Sequence, residues 1–316
     1  MPSPPHADDA PPEGAVPLGA TAYLAAEGWV DELVAELGDV RAIHDRLVIA
    51  DGPPRPAAWA ANVWCDPWTL PVASIGEAAR ALRSVQRNWS LFSVACHRRA
   101  ALVVEKLPKI SARPLVFPAP APTAPLGSFT LLDEHTLLAA PRCTSPFLNG
   151  EVRFVEDRDG PPNRAYRKLW EAFTVLGEHP RAGQRVVDLG ASPGGWTWVS
   201  AELGADVIAV DKAPLDPVIA ARPEVTERVE SAFGIDPASL GPVDWMTCDV
   251  ICYPSRLLSL LERWLDAGTC ERFVCTVKFQ GETDRETARA LSALDGARLV
   301  HLHHNKHELT WMWGVD

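Results

Sequence analysis

The pattern of apolar and polar positions changes period several times along the chain. Residues 1 to 20 show no period. They are rich in Pro, Ala, Asp and Glu, and a disordered tail is expected there. From Thr21 the pattern resolves into elements. Tyr23-Leu24 suits a strand. Val30, Leu33, Val34 and Leu37 recur at helical spacing, and Gly38 ends the run. Leu47-Val48-Ile49 suits another strand, with the Asp51-Gly52-Pro53-Pro54 turn behind it. Ile75, Ala78, Ala79 and Leu82 share one face of a helix expected over Ser74–Arg87, and Leu91–Cys96 suits a strand. Ala100–Leu107 is apolar with a basic end. Pro114–Leu126 carries Pro118, Pro120, Pro122 and Pro125, so an extended loop or linker is expected there. Strands over Phe129–Leu132 and Thr136–Ala140 close this α+β region.

Beyond Pro161 the rhythm is different. A helix over Arg164–Leu176 precedes a strand at Val186–Leu189, a helix at Trp196–Leu203 and a strand at Val207–Val210. Then come a strand at Trp245–Cys248, a helix at Pro254–Leu265, a strand at Arg272–Val277 and a helix at Asp284–Leu294. Strands at Arg298–His303 and Leu309–Trp313 end the series. Short apolar strands alternating with helices predict a mostly parallel, doubly wound α/β sheet. Thr283-Asp284-Arg285-Glu286 fits a capping box on the last helix. The expected organisation is a tail over 1–20, an α+β region over 21–155 and an α/β domain over 156–316.

Composition narrows the class. Of 316 residues, 47% are hydrophobic and 22% charged, which excludes a disordered chain. Seven scattered cysteines exclude a disulfide scaffold. No uncharged apolar run reaches the roughly 18–20 residues a membrane span needs. Met1–Ala10 lacks the basic start and apolar core of a secretory signal. A soluble, cytoplasmic protein without a membrane partner is expected. The net charge of −11 argues against indiscriminate nucleic-acid binding unless positive charge is concentrated locally. It is concentrated: residues 80–113 hold Arg80, Arg83, Arg87, Arg98, Arg99, Lys106, Lys109 and Arg113 against one acid, Glu105. That stretch suits phosphate, and Trp89 and His97 within it could stack on bases.

The strongest local signal is Val186-Val187-Asp188-Leu189-Gly190-Ala191-Ser192-Pro193-Gly194-Gly195-Trp196-Thr197. An apolar strand ends in a glycine-rich turn, and a helix follows. Glycines there let backbone approach a ligand at the carboxyl end of a strand, where open α/β sheets bind ligands. The spacing is not the dinucleotide G-x-G-x-x-G, and no Gly-Lys-Ser/Thr closes a P-loop. Pro193 removes a donor where a pyrophosphate would need one. About 20 residues on, Asp211 ends the next strand, the place from which a carboxylate accepts bonds from a ribose diol. A nucleoside without a diphosphate fits both features, as S-adenosylmethionine (SAM) does.

Four charged residues complete the picture. Lys168 lies in the helix before the first strand of this domain, Asp249 ends the strand Trp245–Cys248, Lys278 ends the strand Phe273–Val277, and Glu308 opens the last strand. The glycine loop with Lys168, Asp249, Lys278 and Glu308 in that order resembles the FtsJ/RrmJ class of SAM-dependent ribose 2′-O-methyltransferases. Arg164–Leu169, Pro193–Thr197 and Val210–Leu215 are closer still to the RlmM branch, which methylates a cytidine of large-subunit ribosomal RNA. The specific resemblance covers about residues 161–316. It implies a Rossmann-like methyltransferase domain, with a terminal antiparallel strand, behind a ferredoxin-like/THUMP-like N-terminal region that docks RNA.

The resemblance also implies site residues. Lys168, Asp249, Lys278 and Glu308 would be catalytic. Asn163, Gly190, Ser192, Pro193, Gly194, Gly195, Trp196, Asp211 and Asp249 would hold the cofactor. Arg80, Arg83, Arg87, Arg98, Arg99, Arg164 and Arg167 would meet RNA. A ribose hydroxyl must lose its proton as it attacks a sulfonium methyl, and Lys278 is the candidate base. A free lysine titrates near 10.4, so it must be brought toward about 7–8, and a second ammonium and the sulfonium both act in that direction. Asp249 would aim Lys278, and Glu308 would hold Lys168 or the ribose.

Other constellations point to packing. Cys248 and Cys252 have no second Cys/His pair to complete a zinc site. His301 and His303 are expected on one face of a strand with His304 on the other, and no metal is expected. Asp249-Val250-Ile251-Cys252 stands where base-amino methylation needs an Asn-Pro-Pro-Tyr-like motif. The expected partner is RNA, large-subunit ribosomal RNA above all, and not DNA. The rival readings are an enzyme acting on tRNA or a cap, or a SAM-binding RNA chaperone or assembly factor.

Overall fold

The computed structural model describes residues 10–314. Two compact units are present. One is built on residues up to Pro114 with Ala121–Arg153, the other on Leu115–Pro120 with Phe154 onward. Part of the proline-rich stretch thus belongs to the second unit, where Leu115 bridges Phe154.

In the first unit β1 (Val16–Pro17), β2 (Ala20–Ala25), α1 (Val30–Leu37), β3 (Val40–His44), β4 (Leu47–Asp51) and β5 (Ala60–Cys65) come first. Next are β6 (Trp68–Pro71), α2 (Ile75–Val85), β7 (Trp89–Leu91), α3 (His97–Val104), β8 (Gly127–Leu131), β9 (Thr136–Ala140) and β10 (Arg142–Cys143). They form two five-stranded sheets, ordered β1-β6-β9-β8-β7 and β10-β5-β2-β4-β3. Alternation along β9 explains how both faces of the first sheet are used. Leu137 and Ala139 pack with Ala78, Leu82, Ala100 and Val103 of the two helices. Leu138 and Ala140 pack with Ala22, Leu24, Leu47 and Ile49 of the second sheet.

Four expectations change here. β1 pairs with β6 and β2 begins at Ala20, so residues 10–20 are not a structureless tail; residues 1–9 lie outside the described residues. The strand expected over Leu91–Cys96 is Trp89–Leu91 instead, because Trp89 and Ser90 pair in parallel with Gly127 and Ser128. His97–Val104 is a helix that its mixed basic and apolar sequence had hidden. Trp89 is 3% exposed, packed in the helix-side core, with its indole N–H donating to Leu82 O at 2.9 Å and Gln86 O at 3.1 Å. It cannot stack on a base.

The second unit carries α4 (Tyr166–Leu176), β11 (Arg185–Leu189), α5 (Gly195–Glu202), β12 (Asp206–Asp211), α6 (Pro217–Ala220), β13 (Val225–Val229) and α7 (Pro237–Leu240). Then follow β14 (Val243–Cys248), α8 (Pro254–Ala267), β15 (Cys270–Lys278), α9 (Arg285–Ser292), β16 (Arg298–Val300) and β17 (Glu308–Trp313). The seven strands are ordered β13-β12-β11-β14-β15-β17-β16. Those from β11 to β15 pair in parallel, and β17 runs antiparallel between β15 and β16. Val186, Val187, Trp245, Met246, Phe273 and Val274 are buried along the central strands, as a sheet covered on both faces requires. The chain order reverses between β11 and β14, which opens a crevice at their carboxyl ends.

Local chemistry explains the ends of these helices. Pro254 opens α8, where its missing N–H costs nothing. Gly177 closes α4 in the left-handed region. Asp284, rather than a Thr283–Glu286 capping box, caps α9, accepting from the Thr287 N–H at 3.0 Å. His303 and His304 lie beyond the end of β16 in a turn, not on opposite faces of a strand.

Candidate active site

The glycine turn is shaped by close packing. Gly190 follows β11 at φ +78°, and a Cβ there would stand 2.7 Å from Val250 Cα. The turn and the chain just beyond Asp249 can touch only because residue 190 has no side chain. A Cβ on Gly195 would stand 2.3 Å from Asn163 Oδ1, so Asn163 lies directly on the turn. That same oxygen accepts the Ala165 N–H at 2.9 Å. Trp196 is buried beside them, its indole N–H donating to Ala165 O at 3.0 Å. Gly194 N-caps α5, and Pro193 is exposed at the tip.

Asp211 sits at the end of β12. Its carboxylate accepts the Ser192 N–H at 3.1 Å and the Ala213 N–H at 3.0 Å, which fixes it beside the turn. The Ser192 hydroxyl donates to Pro214 O at 2.8 Å. Asp188 adds a carboxylate that the sequence reading did not single out. It is fully buried, taking Thr197 Oγ1 at 2.7 Å and Thr247 Oγ1 at 2.9 Å. Burial pushes its carboxyl up to about 6 against the pull of the two hydroxyl bonds, and the charges of Asp249 and Asp211 raise it further. Its signal was a lone acid in an otherwise apolar strand. The turn over residues 190–196 carries no basic side chain. This donor set fits a cationic nucleoside rather than a phosphate.

The four charged residues converge. Lys168 Nζ lies 2.9 Å from Asp249 Oδ1 and 3.2 Å from Glu308 Oε1. Lys278 Nζ lies 3.0 Å from the same Asp249 oxygen and donates to Asp249 O at 2.5 Å. Topology does this. Asp249 follows β14, Lys278 ends β15, and the antiparallel β17 brings Glu308 directly opposite Lys278. Helix α4 supplies Lys168 from outside the sheet, with its ammonium 5.8 Å from the Trp196 ring centroid. Burial alone would lower the Lys168 ammonium, but the Asp249 and Glu308 carboxylates outweigh it and hold it above its ordinary value. Burial alone would raise Asp249, but Lys168 and Lys278 outweigh it and hold the carboxyl below the usual 3.8.

The arginines are placed differently. Arg80, Arg83, Arg87 and Arg98 are exposed in the first unit and Arg99 is half-buried there. Arg83 donates to Lys106 O at 2.9 Å and Arg99 to Ala73 O at 3.3 Å, so part of their donor capacity is used internally. In the second unit Arg164 is exposed, whereas Arg167 pairs with Glu156 at 2.7 Å. Cys248 and Cys252 are buried. His301 Nε2 meets Lys306 O at 2.9 Å, and His307 Nε2 meets Thr283 Oγ1 at 2.9 Å.

A seven-stranded sheet in this order, with a glycine turn after β11 and an acid after β12, defines a Rossmann-like α/β domain. Residues 162–292 match the family described as FtsJ-like methyltransferase. Two curated relatives, each named Ribosomal RNA large subunit methyltransferase M, come from Thauera aminoaromatica and Aromatoleum aromaticum. They are 41% identical over 168 residues and 38% identical over 164. A third of the same name, from Azoarcus sp., is 38% identical over 167 residues. Each alignment covers 47% of this chain, and 45%, 44% and 45% of the respective relatives. The chain thus matches about half the length of these relatives. No helix among the described residues is long and apolar enough to cross a membrane.

Proposed function

We propose that the chain methylates a ribose 2′-hydroxyl of RNA at the expense of SAM, and that the substrate is a cytidine of large-subunit ribosomal RNA. One observation carries this reading: Lys168, Asp249, Lys278 and Glu308 meet within hydrogen-bond reach at the crevice that the glycine turn borders. The name shared by the relatives supports the choice of RNA.

When bound, SAM supplies a methyl group carried on a sulfonium. Asp211 is placed to accept a ribose diol, and Asn163, Ser192, Pro193, Trp196 and Gly190, Gly194 and Gly195 to line the nucleoside. Asp188 and Asp249 put negative charge beside a cationic ligand. Lys278, in its amine form, would take the proton of the 2′-hydroxyl as that oxygen bonds the methyl carbon and the carbon–sulfur bond breaks, the cofactor leaving as the neutral thioether. The resulting ammonium is the species that the Asp249 carbonyl and carboxylate are arranged to hold at 2.5 and 3.0 Å. Lys168 shares that carboxylate oxygen with Lys278, which fixes the two side chains relative to each other. Glu308 anchors Lys168 and completes the wall against which the ribose is oriented.

The first unit is the RNA-docking part of this proposal. The order β5-β2-β4-β3, with α1 between β2 and β3, supports a ferredoxin-like reading of its second sheet. The exposed Arg80, Arg83, Arg87 and Arg98, with Arg99, and Arg164 and Arg167 of the second unit, are the proposed phosphate contacts. A cytoplasmic location accords with such a substrate.

The test is transfer of labelled methyl from SAM to 23S ribosomal RNA stripped of its own 2′-O-methyl groups, followed by mapping of the modified ribose. The expected result is one modified cytidine with the native protein and none with Lys278→Ala. Modification only of tRNA or of cap structures would replace the substrate. Rescue of a deletion strain by Lys278→Ala would favour an assembly factor over an enzyme.

A further inference from the structure

Glu171 is a buried and closely bonded charge in the second unit outside the four site residues. It lies in α4, one turn beyond Lys168, and is 2% exposed. Its carboxylate accepts three bonds from a single turn of chain: His303 N–H at 2.6 Å, His304 N–H at 2.9 Å, and His304 Nδ1 at 2.6 Å. That turn joins β16 to β17, and its far end is Glu308.

We infer that Glu171 is a positioning residue for the reaction: it clamps the 301–307 turn so that Glu308 meets Lys168. This rests on the reading of the site as a methyltransferase centre. Residues three apart on a helix share a face, so Lys168 and Glu171 reach out side by side. Lys168 then grips Glu308 itself, and Glu171 grips the backbone four and five residues earlier. Inside the turn, His301 Nε2 meets Lys306 O at 2.9 Å, and Asn305 donates to Glu308 O at 3.3 Å and to Thr310 Oγ1 at 3.0 Å. Lys306 N–H is 3.4 Å from Glu308 Oε1. The turn is therefore braced internally, and a pull at residues 303–304 is passed to residue 308. Without the carboxylate, the His303 and His304 N–H groups lose the acceptor that ties them to α4, and the turn must relax to find others. Glu308 then leaves Lys168, and Lys168 bears on Asp249 alone.

Two measurements decide the matter. In the full chain, amide hydrogen exchange across 301–308 is compared between the native protein, Glu171→Gln and Glu171→Ala. Gln is isosteric and keeps one oxygen, so it folds even where Ala does not. Exchange should quicken at least tenfold within that turn and stay unchanged in β11 and α5. Unchanged protection in the turn overturns the clamp, whether or not the protein methylates RNA. The second measurement is steady-state methylation with Glu171→Gln, Glu308→Gln and the double variant. Glu171→Gln should lower kcat by roughly tenfold or more and leave both KM values within about twofold, since misplacement acts on the reacting geometry. In the double variant Glu171→Gln should add nothing to the loss from Glu308→Gln, whereas a purely structural role would multiply the two losses. Multiplying losses overturn the coupling to Glu308. A native protein that transfers no methyl to any RNA overturns the proposed function and leaves the exchange result to decide the clamp.

Discussion

Asp249→Asn removes the charge on which the site balances. Four formal charges meet there, two positive and two negative. Both ammoniums lie within 3.0 Å of Asp249 Oδ1, so their nitrogens are no more than about 6 Å apart. With the carboxylate neutralised, that separation costs about 3 kcal/mol at an effective dielectric of 20, the value suited to groups that are mostly but not fully buried. Glu308 still faces Lys168, but Lys278 keeps only a carbonyl. The variant should therefore lose roughly 2–3 kcal/mol of stability at pH 7. Adding Lys278→Met removes the surplus charge and leaves the Lys168–Glu308 pair balanced, so the double variant should regain more than half of the loss. Equilibrium urea unfolding at low salt, followed by tryptophan fluorescence, measures both. The pH dependence has a fixed sign. The Asp249 carboxyl is held below its ordinary 3.8 in the folded protein. Its contribution is present above the unfolded value and is lost as pH falls through the folded one. Native and variant curves should converge in that acid range. A single variant as stable as the native protein, or a double variant less stable than the single one, refutes the charge-balance argument.

Asp188 should behave in the opposite way. Its pKa of about 6 exceeds the ordinary 3.8, so its contribution is greatest below the unfolded value and is lost as pH rises from about 4 to 6, by up to roughly 3 kcal/mol. Asp188→Asn should flatten that limb in a pH series of urea midpoints, and an unaltered limb would assign it to another group. Gly190→Ala should destabilise by about 1–3 kcal/mol, because the new Cβ is both left-handed and 2.7 Å from Val250 Cα. A melting temperature equal to that of the native protein contradicts the close-packing account. Trp89→Phe should cost about 1 kcal/mol for its two lost carbonyl bonds and leave RNA affinity alone. Arg98→Glu should weaken binding to ribosomal RNA fragments and lower the salt slope by about one or more; equal affinities in filter binding would remove the first unit's basic stretch from the RNA face.

The edges of both units show where patterning stops being informative. β13 and β3 lie at sheet edges, and each of their residues is half-buried or exposed. Val225-Thr226-Glu227-Arg228-Val229 has too few apolar positions to stand out from a loop, so both strands escaped the periodicity reading. β14 and β15 are covered on both faces, and their continuous apolar runs stood out. His303 and His304 were drawn into an expected strand by the Arg298–Val300 pattern before them. A buried carboxylate 132 residues earlier in the chain turns them out of it. No local window contains that partner. Trp89 lies among arginines in the sequence, yet its side chain points into the core beneath them.

The amino-acid order alone determined the strand–turn–helix that makes the glycine loop, because tight turns and apolar strands depend on residues within a few positions of each other. It also placed Asp211, Asp249, Lys278 and Glu308 at strand ends, which in a parallel sheet with one reversed strand lie on one edge. Only the tertiary structure decided that Lys168 and Lys278 share one oxygen of Asp249, that Asp188 is buried between two threonines, and that Glu171 holds the turn leading to Glu308. The Asp188–Thr247, Lys168–Asp249 and Glu171–His303 bonds among them join residues 59, 81 and 132 positions apart along the chain. They exist because packing closes the helix α4 onto the sheet edge, a long-range event that no local pattern encodes.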